Sequence, residues 1–226
     1  MKNYKIANFS KDPAGWEDGN PFHGDHYILE TIYEYMKNAD LFIETGTAYA
    51  ESAYFVADNF LNKKVYTCEV DDRRYEISKE ILNSFKNVDL QKISSPQFLD
   101  YVAGQEPDLK NKKCVFWFDS HGEWYENGER KYSWPLKEEV AFVTNNLKNY
   151  VIFIDDFQNP FVNVSYDICG GHVCGPDEVK SVLNGAKLYH PTYTNATSKY
   201  HSNIVGIGMI TDMDVLCNVA GFKENV

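Results

Sequence analysis

From residue 41 onward, short apolar runs alternate with stretches in which apolar residues recur at helical spacing. The apolar runs predict strands at 41–43, 64–70, 88–90, 114–118, 150–154, 186–189 and 204–210. Between them, Ala53, Val56, Ala57 and Phe60 lie on one face of a helix, as do Ile77, Ile81, Leu82 and Phe85. Leu136, Val140, Val143 and Leu147 form a third such face, opened by Ser133 and Pro135. Further helices are predicted at 28–36, near Pro96 with Ser95 as its cap, and at 176–183 with Pro176 in the first turn. The runs 114–118 and 150–154 are wholly apolar, as suits central parallel strands buried on both faces.

Strands and helices alternating at this spacing mean βαβ units, a parallel sheet and right-handed crossovers. Three stretches break the rhythm: the irregular residues 1–22, and the polar loops 120–134 and 157–175. Each loop directly follows an apolar strand, at the end where open α/β sheets bind ligands. The expected organisation is one α/β domain at 40–212. A segment at 1–39 precedes it as a lid or substrate cover, and a tail follows at 213–226.

The 226 residues suit one hydrophobic core. Twenty-two basic and 33 acidic residues give a net charge of −11. Such a surface disfavours a nucleic-acid partner or an anionic membrane. No apolar run reaches the roughly 20 residues of a bilayer span. The polar start carries no signal-peptide core, so a cytoplasmic location is expected. The five cysteines are expected to be reduced. Cys169, His172 and Cys174 lack the spacing of a zinc knuckle and read as an irregular loop.

Candidate chemistry gathers at strand ends. Gly46 follows the first strand and permits a turn closed to other residues, with a helix N-terminus beyond it that offers backbone N–H groups. Glu69 ends the second strand, twenty-three residues after Gly46, where an acidic side chain can grip a ribose. A plain strand–helix turn and a solvated strand end are the alternatives. Asp119, Asp155 and Asp156 follow the two apolar strands. If those strands are neighbours, the carboxylates converge and repel unless a cation joins them, and oxygen ligands suit Mg²⁺, Mn²⁺ or Ca²⁺. A loop cap at Asp155 and a solvated Asp156 are the alternative. His121 is either a proton acceptor or a structural residue of its loop. His23, His26 and His201 read as surface residues, although His23 and His26 could cover an acceptor site. Trp124, Tyr125 and Tyr132 offer stacking surfaces for a sugar ring, or pin their loop.

The ordered set Glu44-Thr45-Gly46-Thr47, Tyr66-Thr67-Cys68-Glu69, Phe116-Trp117-Phe118-Asp119-Ser120-His121, Pro135-Leu136-Lys137-Glu138-Glu139 and Ile152-Phe153-Ile154-Asp155-Asp156 resembles class I S-adenosylmethionine-dependent methyltransferases. It is most similar to sugar and small-molecule O-methyltransferases of the macrocin type, over roughly residues 40 to 210. The resemblance implies an α/β, Rossmann-like methyltransferase fold. Its sheet would be mostly parallel and seven-stranded, with helices on both faces and an antiparallel last strand. It implies O-methylation of a sugar or other small hydroxylated metabolite, with S-adenosylmethionine as cofactor and Mg²⁺ or another divalent cation. Glu44 and Gly46 would hold the methionine portion, beside Thr45, Thr47 and Ser52, and Glu69 the ribose. Ser94 and Ser95 stand where the family often shows Gly-Asp-Ser, so the adenine carboxylate is missing there, and Ala48 and Ala50 depart from its glycine pattern. Asp119, Asp155 and Asp156 would hold the cation, with Asp119 also near the cofactor and, with His121, catalytic. Related enzymes make a homo-oligomer a further expectation. Two other readings stay open: a catalytically silent module that binds the cofactor or a glycan, and a nicotinamide enzyme, which a single glycine fits poorly.

Overall fold

A computed structural model describes residues 20–193, 205–213 and 221–224. Residues 1–19, His201, Cys217 and the first residue of the strand expected at 204–210 lie outside that set. In chain order, a 3-10 turn at Pro21–Gly24 precedes α1 (His26–Met36), β1 (Leu41–Thr45), α2 (Glu51–Asn59), β2 (Lys64–Cys68), α3 (Asp72–Leu82), β3 (Val88–Gln91), α4 (Ser95–Gln105) and β4 (Cys114–Phe118). Then come β5 (Gly122–Glu126), β6 (Glu129–Ser133), α5 (Leu136–Asn146), β7 (Tyr150–Ile154), β8 (Ile168–Cys169), β9 (His172–Val173), α6 (Pro176–Val179), β10 (Lys187–Pro191), β11 (Gly208–Thr211) and β12 (Phe222–Glu224).

Eight strands form the main sheet in the order β12-β10-β11-β7-β4-β1-β2-β3. From β3 to β7 neighbouring strands are parallel, whereas β11 runs against β7 and β10, and β12 runs against β10. The expected seven strands and antiparallel last partner are therefore present. The eighth strand comes from the segment expected as a tail, and its three residues carry too little periodicity to read as a strand.

Alternation along the central strands feeds two cores. Ile43, Phe116, Phe118, Ile152 and Ile154 face α4 and α5, where Phe98, Leu99, Leu136, Val140 and Val143 are buried. Phe42, Val115, Trp117, Val151 and Phe153 face α1 and α2, against Ile28, Ile32, Met36, Phe55 and Val56. Burial on both faces explains why 114–118 and 150–154 are unbroken apolar runs. Asp25 starts α1 by accepting from the Tyr27 and Ile28 amides at 2.9 and 3.0 Å, and Asp71 starts α3 in the same way through Arg73 and Arg74.

Two expected loops hold structure. Residues 122–133 form a two-stranded hairpin, β5 with β6, closed by Asn127 and Gly128 with φ of 51° and 78°. Inside the 157–175 stretch, Gly170 and Gly171 at φ 59° and 89° close the shorter pair β8–β9. Asn-Gly and Gly-Gly with positive φ are the turns that match the twist of a tight hairpin. Ser94, not Ser95, occupies the cap position of α4. The helix expected at 176–183 is a single α-turn followed by 3-10 geometry at Lys180–Val182.

Candidate active site

Strand register builds the site. Thr45 pairs with both Cys68 and Phe118, and Phe118 pairs with Ile154. The next residues, Gly46, Glu69, Asp119 and Asp155, therefore leave the sheet side by side along one edge. The chain order reverses between β1 and β4, and that is the switch point at which α/β sheets open a crevice.

On the β1–β2 side, Gly46 has φ +81°, and a Cβ there would sit 2.0 Å from the carbonyl oxygen of Asp119. The glycine is needed for strand-end packing as much as for any ligand. The Gly46 and Thr47 amides donate to the Cys68 carbonyl at 3.0 Å. Glu69 is buried, and its two oxygens accept from the Ala48 and Asp71 amides, each at 2.8 Å. It thus ties the glycine turn to the start of α3, leaving the remaining lone pairs for a ligand. Burial raises its pKa, against the lowering effect of these two N–H groups and of Arg74.

A cavity of about 180 Å³ lies over this edge. Among the residues named from the sequence, Gly46, Glu69, Ser94, Ser95, Asp119 and His121 line it. Glu44, Thr45, Thr47, Ser52, Asp155 and Asp156 do not, and Asp155 is buried behind it. Glu44 lies beneath, 1% exposed, accepting from the Thr67 hydroxyl at 2.6 Å, and Thr67 in turn meets Thr47. Burial holds the Glu44 carboxyl well above its usual range. Ser52 accepts the Phe22 amide at 3.0 Å and so anchors the N-terminal turn. Trp124 of β5 closes the cavity from above, while Tyr125 and Tyr132 are exposed.

On the β4–β7 side, Asp155 is completely buried, and neither of its oxygens receives an aligned hydrogen bond from a described residue. His23 Nε2 stands 2.8 Å from Asp155 Oδ2 and 3.6 Å from Asp119 Oδ2. Burial alone would lower the His23 pKa, but the two aspartates outweigh it and raise the value well above 6.5. Asp156, at φ 49°, and Asp119 are both held above the usual carboxylate range, by burial first and by Asp155 second.

The His121 side chain is 2% exposed, with Nε2 unpartnered and 3.7 Å from Asp167 Oδ2. Its ring packs against Trp134, which stacks on His172. Two sets of possible cation ligands, each with its atoms within 4.8 Å of one another, occur among the described residues: His23–Asp119–Asp155 and Asp119–His121–Asp156. Asp119 belongs to both, Asp155 to the first and Asp156 to the second. Cys169, His172 and Cys174 belong to neither. Cys174 is buried and points its thiol at the Asp155 carbonyl.

Two contributors escaped the sequence reading. His23, read as a surface residue that could cover an acceptor site, reaches the aspartates from the 3-10 turn at Pro21–Gly24. Glu139, 1% exposed in α5, lies 2.7 Å from the Ser120 hydroxyl, which is 3.1 Å from Ser95. A glutamate on the apolar side of a helix was the available signal for the second.

No family model matches the sequence, and no curated protein matches it. Solved structures do match in shape. An rRNA methylase of Streptococcus thermophilus superposes with a TM-score of 0.51 over 84% of this chain and 98% of its own, at 15% identity. A Klebsiella pneumoniae protein classed as an O-methyltransferase gives 0.56 over 82% and 78%, at 13% identity. Aeropyrum pernix fibrillarin, solved with natively bound S-adenosyl-L-methionine, gives 0.50 over 83% and 76%, at 11% identity. This chain has the Rossmann-like methyltransferase fold. The cavity spans the switch point from Gly46 and Glu69 to Asp119, while Asp155 and Asp156 lie outside its lining. No described helix is long and apolar enough to cross a membrane.

Proposed function

We propose that this chain is an S-adenosylmethionine-dependent O-methyltransferase acting on a sugar or other small hydroxylated acceptor, with a divalent cation beside the acceptor hydroxyl. The observation that carries the reading is the shared edge: a glycine turn and acidic strand end on one side, and the dry carboxylate of Asp155 with Asp119 and Asp156 on the other. The cofactor-bound fibrillarin supports the donor, since it shares the fold.

The residues present fit a cation, because the buried Asp155 carboxylate has only the His23 ring at 2.8 Å to meet its charge, and a buried carboxylate is costly without a positive partner. When bound, such an ion lowers the pKa of an acceptor hydroxyl and orients it. Asp119 and Asp155, with His23 beside them, would hold it, since Asp156 belongs to a separate set with His121. Gly46, Glu69, Ser94 and Ser95 would place the donor, with Trp124 as a stacking surface above it. Transfer forms an oxygen–methyl bond as the methyl–sulfur bond breaks and the sulfur keeps the electron pair. The hydroxyl proton leaves to His121, whose Nε2 has no partner among the described residues. The net charge of −11 favours a neutral or cationic acceptor over a nucleic acid.

Calorimetric titration with S-adenosylmethionine, with and without Mg²⁺, tests this reading. Saturable heat is expected, reduced at least about tenfold in affinity by Glu69→Ala. Asp155→Ala should abolish methyl transfer yet leave donor binding mostly intact. The absence of heat under every condition would end the proposal. A second reading, a silent binding module, is favoured by the departure at Ser94 and Ser95 and by Glu69 already serving two backbone amides. Release of S-adenosylhomocysteine with any acceptor would exclude it.

A further inference from the structure

We infer that His23 is a metal ligand, so that this site takes a transition-metal ion of the manganese-to-zinc series in preference to Mg²⁺. The inference rests on the cation reading above and extends it to the N-terminal turn. Three observations converge.

The first is spacing. Neighbouring ligands about 2.1 Å from one ion stand roughly 3.0 Å apart in an octahedron and about 3.4 Å apart in a tetrahedron. His23 Nε2 lies 2.8 Å from Asp155 Oδ2 and 3.6 Å from Asp119 Oδ2, which brackets both values. The second is the unmet bonding capacity of Asp155. It is fully buried, and apart from the His23 ring at 2.8 Å no described residue gives either of its oxygens a hydrogen bond. A neutral imidazole nitrogen this close to a carboxylate can share an ion with it in place of the proton that otherwise joins them.

The third is strain. Phe22 and His23 both adopt left-handed backbone, at φ 54° and 52°. Each such residue costs on the order of 1–2 kcal/mol. The turn is held there from outside. The Phe22 amide donates to Ser52, and its ring, 1% exposed, packs against Trp117 at 5.0 Å and Phe55 at 5.9 Å. Two consecutive strained residues, anchored by an aromatic cluster, place one imidazole against the aspartates.

Ligand chemistry then sets the preference. An all-carboxylate site suits Mg²⁺, Ca²⁺ or Mn²⁺, whereas an imidazole donor adds affinity increasingly from Mn²⁺ to Zn²⁺ with little gain for Mg²⁺. His121, in the neighbouring set, has the same chemistry but is assigned here to the proton.

The test is titration of the purified full chain with Mn²⁺ alone and with Mg²⁺ alone, together with pulsed electron paramagnetic resonance of the Mn²⁺-loaded protein. Mn²⁺ should bind at least about tenfold more tightly than Mg²⁺, and its spectrum should show coupling to a directly bound imidazole ¹⁴N that changes on ¹⁵N-histidine labelling. His23→Asn, whose short side chain tolerates the left-handed backbone, should weaken Mn²⁺ about tenfold or more and leave Mg²⁺ within about threefold. His121→Asn should keep the nitrogen coupling, which assigns it to His23 even if the first variant does not fold. Equal affinity for the two ions without nitrogen coupling, or coupling lost in His121→Asn, would overturn the inference and leave a carboxylate cation site standing. Failure of the wild-type chain to bind either ion would remove both that site and the role of His23.

Discussion

Gly46 shows how a residue can be marked correctly for an incomplete reason. From the sequence it offers a turn that lets a ligand approach. In the fold its missing side chain makes room for the Asp119 carbonyl, which a Cβ would meet at 2.0 Å. Gly46→Ala should therefore destabilise the protein by about 2–4 kcal/mol, from left-handed strain plus overpacking. Urea denaturation measures this, and an unchanged midpoint would contradict the packing. Glu69 behaves similarly: its strand-end position is visible in the sequence, but its two amide partners are not. Glu69→Gln turns one acceptor into a donor facing an N–H, at a cost of about 1–3 kcal/mol in the same experiment. His23 was legible only as a surface residue that could cover an acceptor site. It belongs to no periodic face, and its position depends on the Phe22 ring finding Trp117 and Phe55, contacts that only the tertiary fold creates.

Among elements, the β5–β6 hairpin matters most for access. Asn127-Gly128 is a local turn signal of the kind that fixes a two-residue loop, but the polar composition of 120–134 reads as a loop, and the hairpin was missed. Its docking was not legible. Asp71 caps α3 through one oxygen and accepts the Tyr125 amide through the other at 2.9 Å, and Asp72 accepts the Asn127 amide at 2.9 Å. The start of α3 thus serves as the hairpin's latch over the cavity. Asp71→Ala should cost about 1 kcal/mol as a lost cap. It should also raise amide hydrogen exchange across residues 122–133 several-fold, while exchange in β4 and β7 stays unchanged. Unaltered exchange in the hairpin would show that the Asp71 contact does not hold it.

At the scale of the whole molecule, the strand order that opens the crevice was expected only from the family resemblance, whereas the parallel sheet and its two apolar faces follow from patterning, because central strands must be apolar on both sides. The strand β12 did not, since edge pairing of three residues is decided by its neighbour and not by its own sequence. The electrostatics of the crevice bear on global stability. Below their ordinary values of 4.5 and 3.8, the carboxyls of Glu44, Glu139, Asp119 and Asp156 are neutral whether the chain is folded or not. As pH rises, the folded state, with its raised values, holds those protons longer, so stability falls until the folded values are passed. His23 adds the same sign: its contribution is complete below 6.5 and is lost as pH climbs through its raised folded value. The metal-free protein should therefore melt at a lower temperature at pH 8.5 than at pH 6, and saturating Mn²⁺ should flatten the difference. Scanning calorimetry reads this directly, and a melting temperature that rises with pH in chelated buffer would contradict it.

The most direct measurement is a crystal structure of the full chain grown with S-adenosylhomocysteine and Mn²⁺, with anomalous data collected for the metal. Density for the nucleoside between Gly46, Glu69 and Ser94, with an anomalous peak within bonding distance of Asp155, is the expected result. Nucleoside density elsewhere on the molecule, or an empty crevice at saturating ligand with no peak at the aspartates, would contradict it.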